Sequence, residues 1–159
     1  MQTAEQLIAS LVAHGCLPMV AGLQPAGAPP QGDLLSPAER AQAGFKEAGF
    51  TFRYTALDSS VLADFGLQTA TLRADRADAD KALASLDAAI QAVAADIFAQ
   101  EEPHPSDASR TQRVFLVRMS ERRYARVTAA FPRLGAASRA GIEVKVAGLE
   151  AIGRRAAAG

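Results

Sequence analysis

The pattern of apolar and polar positions predicts two helices in the N-terminal third of the chain. The first covers about residues 3–14, where four apolar side chains fall on one helical stripe: Leu7, Ile8, Leu11 and Val12. The second begins at the sequence Ser36-Pro37-Ala38-Glu39. Serine at the N-cap, proline at the first helical position and glutamate at N3 form a capping box. This box predicts a helix over about residues 37–48.

A third and longer helix is predicted over about residues 77–99. Its apolar residues recur at spacings of three and four: Leu83, Leu86, Ile90, Val93 and Ile97. Two interpretations fit this stripe. An amphipathic helix lying on a sheet is favoured, because two heptads are too few to indicate a coiled coil. The alternative is an oligomer interface formed by the same five side chains.

The remaining patterns predict a fourth helix and several strands. The fourth helix follows Ser120 over about residues 121–134, with its apolar face made by Tyr124, Val127, Ala130 and Phe131. Alternating positions predict strands over residues 50–57 and 67–73. The apolar run within residues 113–119 is typical of a central strand. The last segment, residues 142–152, fits either a strand or a helix.

The order of these elements favours an α+β fold. Helices and strands are mixed without strict alternation, which predicts a small mixed or antiparallel sheet of about four strands with helices packed mainly on one face. A chain of 159 residues suits one domain, here residues 1–159. Residues 24–36 are rich in proline and glycine and predict a loop. A polar loop is predicted over residues 100–112.

Composition indicates a globular protein, since 49% of the residues are hydrophobic and 21% are charged. No uninterrupted apolar run reaches the length of a membrane span, and the N-terminus lacks the basic region of a signal peptide. We therefore expect a cytoplasmic protein that does not contact a membrane.

The formal charge of zero conceals a division of the chain into an acidic and a basic part. Residues 1–106 hold thirteen acidic and six basic side chains, a net charge of −7, whereas residues 107–159 hold four acidic and eleven basic ones, a net charge of +7. Such asymmetry indicates an anionic partner for the basic part, or docking of the acidic part of one copy on the basic part of another.

Sequence motifs for catalysis or cofactor binding are absent: the chain has no nucleophile elbow, phosphate loop, zinc-protease or dinucleotide motif. A single cysteine, Cys16, excludes an intrachain disulfide. His14 stands two residues away, and the pair is interpreted as a buried structural cysteine beside a helix-terminal histidine. No metal site and no cofactor is predicted.

Two carboxylates give the only candidate for an enzymatic site. Asp58 and Asp64 fall in one predicted loop after a strand, and paired carboxylates can bind a divalent metal or exchange protons. Aspartate in a loop also stabilises turns and helix caps. The structural interpretation is favoured, and an enzyme remains the less favoured alternative.

Arginines near residue 120 give the candidate binding site. Five of them surround the predicted junction between strand and helix: Arg118, Arg122, Arg123, Arg126 and Arg133. On a helix, Arg122 and Arg126 would be neighbours at i and i+4, beside the first amides of that helix. Arginines around a helix N-terminus suit phosphate groups.

The segment VRMSERRYARV, Val117 to Val127, resembles the strand-into-helix opening of ribbon-helix-helix DNA-binding proteins. The resemblance covers at most the last third of the chain, and no residue roles are carried over from it.

The sequence thus predicts a non-catalytic binding protein that contacts DNA, RNA or another polyanion through its arginine-rich C-terminal third. The alternative is a protein-interaction or assembly module that self-associates or binds a protein partner.

Overall fold

A computed structural model describes residues 2–23, 31–45, 49–57, 59–132 and 141–149. Its helical segments are α1 (Ala4–Leu11), a π-helical turn (Val12–Cys16), α2 (Leu17–Ala21), α3 (Pro37–Gln42) and α4 (Ala79–Val93). Its strands are β1 (Asp33–Leu34), β2 (Phe50–Thr55), β3 (Ser60–Phe65), β4 (Thr69–Ala74), β5 (Asp96–Pro103), β6 (Arg110–Ser120), β7 (Arg123–Pro132) and β8 (Ile142–Gly148).

All eight strands belong to one antiparallel sheet, in the order β1-β2-β3-β4-β8-β7-β6-β5. Four strands follow the first helices as a meander, and four more follow α4 as a second meander. The two meanders join through their last strands, because β4 pairs antiparallel with β8. The chain therefore has β1 and β5 at the two edges of its sheet.

The core lies between one face of this sheet and the helices α1, α2 and α4. Alternate strand residues point into it, as the period of two along a strand requires. Fully buried examples on the strands are Val61, Leu72, Phe115, Val127 and Val144. The helices contribute Ile8, Leu11, Val12, Leu86 and Ile90.

Side-chain caps fix where the helices begin. The predicted capping box is confirmed: the Glu39 amide donates to Ser36 Oγ at 3.2 Å, and the Ser36 amide donates to Glu39 Oε1 at 3.1 Å. Hydrogen bonds from the backbone and side chain of Ser36 lower the pKa of Glu39. Asp78 caps α4, and its own amide donates to the buried Glu5 carboxylate of α1 at 2.8 Å.

The predicted sheet of about four strands is wrong, because the described residues form eight strands and are 43% strand and 30% helix. The largest error is the predicted helix over residues 121–134, which is the strand β7. Ala125, Val127 and Ala129 are buried, and Arg126 and Thr128 alternate with them on the other face. The alanines suit a helix as well as a strand, so spacing alone favoured the wrong element.

Other boundaries also differ from prediction. The helix expected over residues 77–99 ends at Val93, and Ile97 belongs to β5. The loop expected over residues 100–112 is the end of β5 and the start of β6, with the turn between them at residues 104–109. Residues 60–65, expected in the loop that holds Asp58 and Asp64, form β3. The strand alternative is confirmed for Ile142–Gly148, and residues 150–152 lie outside the described part of the chain.

The segment that resembles ribbon-helix-helix proteins is not a strand followed by a helix. Val117 to Val127 is a β-hairpin between β6 and β7, with a bulge between Arg118 and Ser120. The resemblance therefore does not describe the fold of this segment.

Candidate functional site

The sheet has a second face, opposite α1, α2 and α4, which we call the open face. Strand pairing places open-face residues in rows that cross the sheet. One row runs Phe98, Leu116, Arg126, Ala147 and Thr69, and the next runs Gln100, Val114, Thr128, Lys145 and Thr71. Arg118 and Tyr124 are paired in a third row. Arg118, Arg126 and Lys145 are therefore among the basic side chains of this face.

Arg118, Arg126 and Lys145 form an oblique line across β6, β7 and β8, which we call the basic diagonal. Arg126 pairs with Leu116, which lies two residues before Arg118 on β6. Lys145 pairs with Thr128, which lies two residues after Arg126 on β7. Each step of the line therefore moves to the next strand and two residues along it. Diagonal neighbours in an antiparallel sheet are about 7–8 Å apart. Arg126 and Lys145 are exposed, and Arg118 is partly exposed. Their charged ends can therefore reach one extended ligand.

The arginines of the basic diagonal differ from four other arginines of the described chain in their lack of acidic partners. Arg40, Arg53, Arg73 and Arg113 each have a carboxylate within ion-pair distance. Within the described residues, no ion pair involves Arg118 or Arg126. Asp96 is paired in register with Arg118, but its carboxylate accepts the Ile97 amide at 2.9 Å. The Arg118 and Arg126 guanidinium groups thus remain available to an external anion.

Lys145 is the weaker member of the basic diagonal. Its Nζ lies 3.7 Å from Glu143 Oε1, and the other oxygen of Glu143 lies 2.8 Å from Arg73 Nε. The Lys145 side chain is 66% exposed. An ion pair this exposed is screened by water, so it holds the lysine only loosely.

Uncharged side chains border the basic diagonal. Tyr124 is half-buried next to Arg118, and Leu116 lies between Phe98 and Arg126 in its row. Phe98 and Leu116 are exposed apolar residues. The open face therefore offers flat apolar and aromatic surface beside its positive charges.

A short helix covers a different part of the open face. Arg40 of α3 reaches Asp64 on β3, and Arg73 on β4 donates to the Ala43 carbonyl at 2.8 Å. The guanidinium of Arg73 also lies 4.3 Å from the ring centroid of Phe45. These contacts hold α3 on the open face over β3 and β4, whereas the basic diagonal crosses β6, β7 and β8 of the same face.

The structure brings together two of the five arginines that the sequence singled out. Arg118 and Arg126 share the open face, whereas Arg122 lies in the hairpin turn. Arg123 lies on the opposite face, beside Gly22 at the end of α2. The predicted helical pairing of Arg122 with Arg126 is wrong, because β7 is a strand. Arg133 lies outside the described residues.

Sequence reasoning missed Lys145 and misplaced Tyr124. Lys145 lies about twenty residues from Arg126 along the chain, and only the pairing of β7 with β8 brings them together. Alternation of Glu143 and Lys145 with buried residues indicates that both share one face of a strand. That pattern does not identify the strand that pairs with the strand containing Lys145.

The predicted interface stripe lies mostly within the protein's own core. Leu86 and Ile90 are fully buried and Leu83 is nearly so, whereas Val93 is partly buried and Ile97 lies on β5 instead of the helix. This arrangement agrees with the favoured interpretation of an amphipathic helix on a sheet. Self-association of the protein remains a prediction, but α4 does not present this stripe at the surface.

Asp64 makes contacts that stabilise the fold. Its Oδ1 accepts from Thr51 Oγ1 at 2.6 Å, and Nε and Nη2 of Arg40 lie 3.1 and 3.0 Å away. Asp58 lies outside the described residues. Among the residues with described positions, no group of three histidine, cysteine or carboxylate side chains could hold a metal ion.

Cys16 is fully buried in the π-helical turn, and burial raises the pKa of its thiol from 9.0 to about 12. The thiol should therefore resist iodoacetamide at pH 8 in the folded protein and react on unfolding, because only the thiolate is nucleophilic.

The same pKa difference predicts how stability depends on pH. As the pH rises above about 9, the unfolded chain loses the thiol proton while the folded chain keeps it. Cys16 should thus lower the free energy of unfolding by roughly 1.4 kcal/mol per pH unit, up to about pH 12. Urea denaturation of wild type and Cys16→Ala between pH 7 and 10.5 measures this term, and equal slopes would contradict it.

Residues Ala4–Ala21 form a continuous helical stretch that is long and apolar enough to cross a membrane, and 67% of it is buried in this fold. Core helices of water-soluble proteins and signal sequences share that composition, so the location of the protein remains a prediction.

Comparison of the chain with protein-family models, curated proteins and solved structures finds no match.

Proposed function

We propose that the protein binds a polyanion, with nucleic acid as the first choice, across the open face of its sheet. The observation that carries this proposal is the juxtaposition of Arg118 and Arg126 on one exposed surface without an acidic partner among the described residues. Guanidinium groups bind phosphate oxygens through paired hydrogen bonds, so unpaired arginines on one face suit a phosphate backbone.

The shape of the site supports an extended, flexible ligand. The basic diagonal crosses three strands of a sheet, and Tyr124 lies beside its first member. Single-stranded nucleic acid is commonly bound by a positive surface together with aromatic rings on which bases stack. One tyrosine gives a small stacking surface, so charge should dominate the affinity and sequence preference should be weak.

The proposal is tested by fluorescence anisotropy with labelled single- and double-stranded DNA and RNA at about 50 and 200 mM salt. Phosphate binding releases counterions, so the affinity should fall steeply between these salt concentrations. Failure to bind any of the four probes at the lower salt concentration would refute the proposal.

The double substitution Arg118→Ala/Arg126→Ala should weaken binding roughly tenfold at low salt, because it removes two charge contacts worth together ~1.4 kcal/mol. It should also reduce the slope of log affinity against log salt by about 1 for each lost phosphate contact. The anisotropy titration measures both quantities.

The matched control is Arg76→Ala/Arg123→Ala, which removes the same charge from two exposed arginines outside the basic diagonal. It should retain most of the affinity. Equal losses in the two double variants would show that net charge, and not the basic diagonal, determines binding.

A further inference from the structure

The two edges of the sheet are protected to different degrees. The strand β1 has two residues, and such short edge strands offer little backbone to another chain. The strand β5 has eight residues and pairs only with β6, and within the described chain nothing else pairs with it. A long unpaired edge strand is a template for a further strand.

Hydrogen bonding at the end of β5 shows which backbone groups face outward. The His104 amide donates to the Arg110 carbonyl at 3.2 Å, so this residue bonds inward to β6. Inward and outward residues alternate in an antiparallel pair. Residues 97, 99 and 101 therefore direct their backbone groups away from β6. The Ile97 amide is bound by Asp96, and the Ala99 and Glu101 amides point to the open edge.

The acidic side chains of β5 already form ion pairs or hydrogen bonds within the chain. Glu101 pairs with Arg113 at 3.3 Å, Glu102 accepts from the Gln112 amide group, and Asp96 accepts from Ile97. The centre of the strand, residues 97–100, is uncharged. On the open face, Phe98 is 60% exposed and its cross-strand neighbour Leu116 is 45% exposed. The edge thus offers apolar surface and free backbone more than charge.

We propose that β5 pairs with the β5 strand of a second copy of this chain, antiparallel about a two-fold axis at Phe98. This register keeps the helices of both copies on the same side of a continuous sheet. The Ala99 amide of each copy then donates to the partner's Ile97 carbonyl. Such an interface is isologous, since the same strand serves both sides.

The side chains fit this register better than its neighbour. Phe98 meets the partner's Phe98, flanked by Leu116 of each copy, and Asp96 lies opposite the partner's Gln100. Moving the axis to Ala99 would place Asp96 opposite the partner's Glu102, and like charges directly opposite each other are destabilising. This inference does not depend on nucleic-acid binding.

The test is the mass of the wild-type protein in solution, without nucleic acid, by light scattering and sedimentation equilibrium. We expect a dimer of about 33 kDa, twice the 16.6 kDa of one chain, at concentrations up to ~100 µM. A protein that remains at 16.6 kDa throughout this range would overturn the proposal.

Two variants test the strand itself. Ala99→Pro removes an amide that points to the open edge, and proline is tolerated at such a position of an edge strand. Phe98→Lys places two positive charges opposite each other at the two-fold axis. Each should raise the dimer dissociation constant at least about tenfold, while circular dichroism reports an unchanged fold. The matched control is Phe50→Lys, which changes an equally exposed phenylalanine, 66% exposed, on β2.

The control should leave the dimer intact. A dimer that survives both β5 variants, or that is lost only in Phe50→Lys, would overturn the proposed interface. If one β5 variant fails to fold, the other still decides the question.

Discussion

Replacing Phe115 by alanine is expected to lower the free energy of unfolding by about 3–5 kcal/mol. Phe115 is fully buried at the middle of β6, the longest strand, on the face covered by the helices. Truncation removes the transfer free energy of the ring and leaves a cavity between the sheet and the helices. The total stability of a domain is about 5–15 kcal/mol, so this variant should be close to unfolding.

Urea denaturation and thermal melting by circular dichroism measure the effect. The next residue on the same strand, Leu116, gives a matched control because its side chain points to the open face and is 45% exposed. Leu116→Ala should cost less than about 1 kcal/mol. Similar losses at the two positions would contradict the assignment of the two faces of the sheet.

This contrast between adjacent residues could not be derived from the sequence. The run Val114-Phe115-Leu116-Val117 is apolar throughout and predicts a strand buried on both faces. In the structure, only Leu116 of the four is exposed. The run correctly predicted an interior strand, but the extent of cover on the open face depends on elements distant in the sequence.

Sequence patterns predicted the elements correctly where those elements depend on contacts between residues close together in the chain. The capping box at Ser36 and Glu39 specifies the start of α3 through two hydrogen bonds between nearby residues. The alternation of Phe50, Phe52 and Tyr54 correctly predicted β2. Errors arose where alanine is abundant, as in β7, because alanine fits a helix and a buried strand and its spacing does not distinguish them.

The candidate site was predicted in composition but not in geometry. The excess of arginine after residue 107 identified Arg118 and Arg126, yet their shared face results from a hairpin instead of a helix. Which charges are free also required the structure. Arg113 belongs to the basic part but pairs with Asp87 and Glu101 of the acidic part, so the division of charge is partly neutralised inside the fold.

A second large effect is expected from Asp64→Ala, which should lower the free energy of unfolding by about 2–4 kcal/mol. Thr51 is fully buried and donates to this carboxylate, and the Arg40 side chain is only 14% exposed. Removing the carboxylate takes away the acceptor of the Thr51 hydroxyl and of Arg40 Nε, and it removes one of the contacts that hold α3 on the sheet. Breaking a buried ion pair in this way costs more than the pair contributes when intact, since the remaining charge stays desolvated.

Two controls separate this effect from a general loss of charge. Asp64→Asn retains an oxygen that can accept from Thr51, so it should cost less than the alanine variant. Arg53→Ala breaks an ion pair between half-exposed side chains, Arg53 and Glu39 at 3.9 Å, and should change stability by less than about 0.5 kcal/mol. Urea denaturation at pH 7 measures all three variants. An Asp64→Ala protein as stable as the wild type would show that Asp64 does not hold α3 on the sheet, and that another contact, such as Arg73 with the Ala43 carbonyl, is sufficient to keep it there.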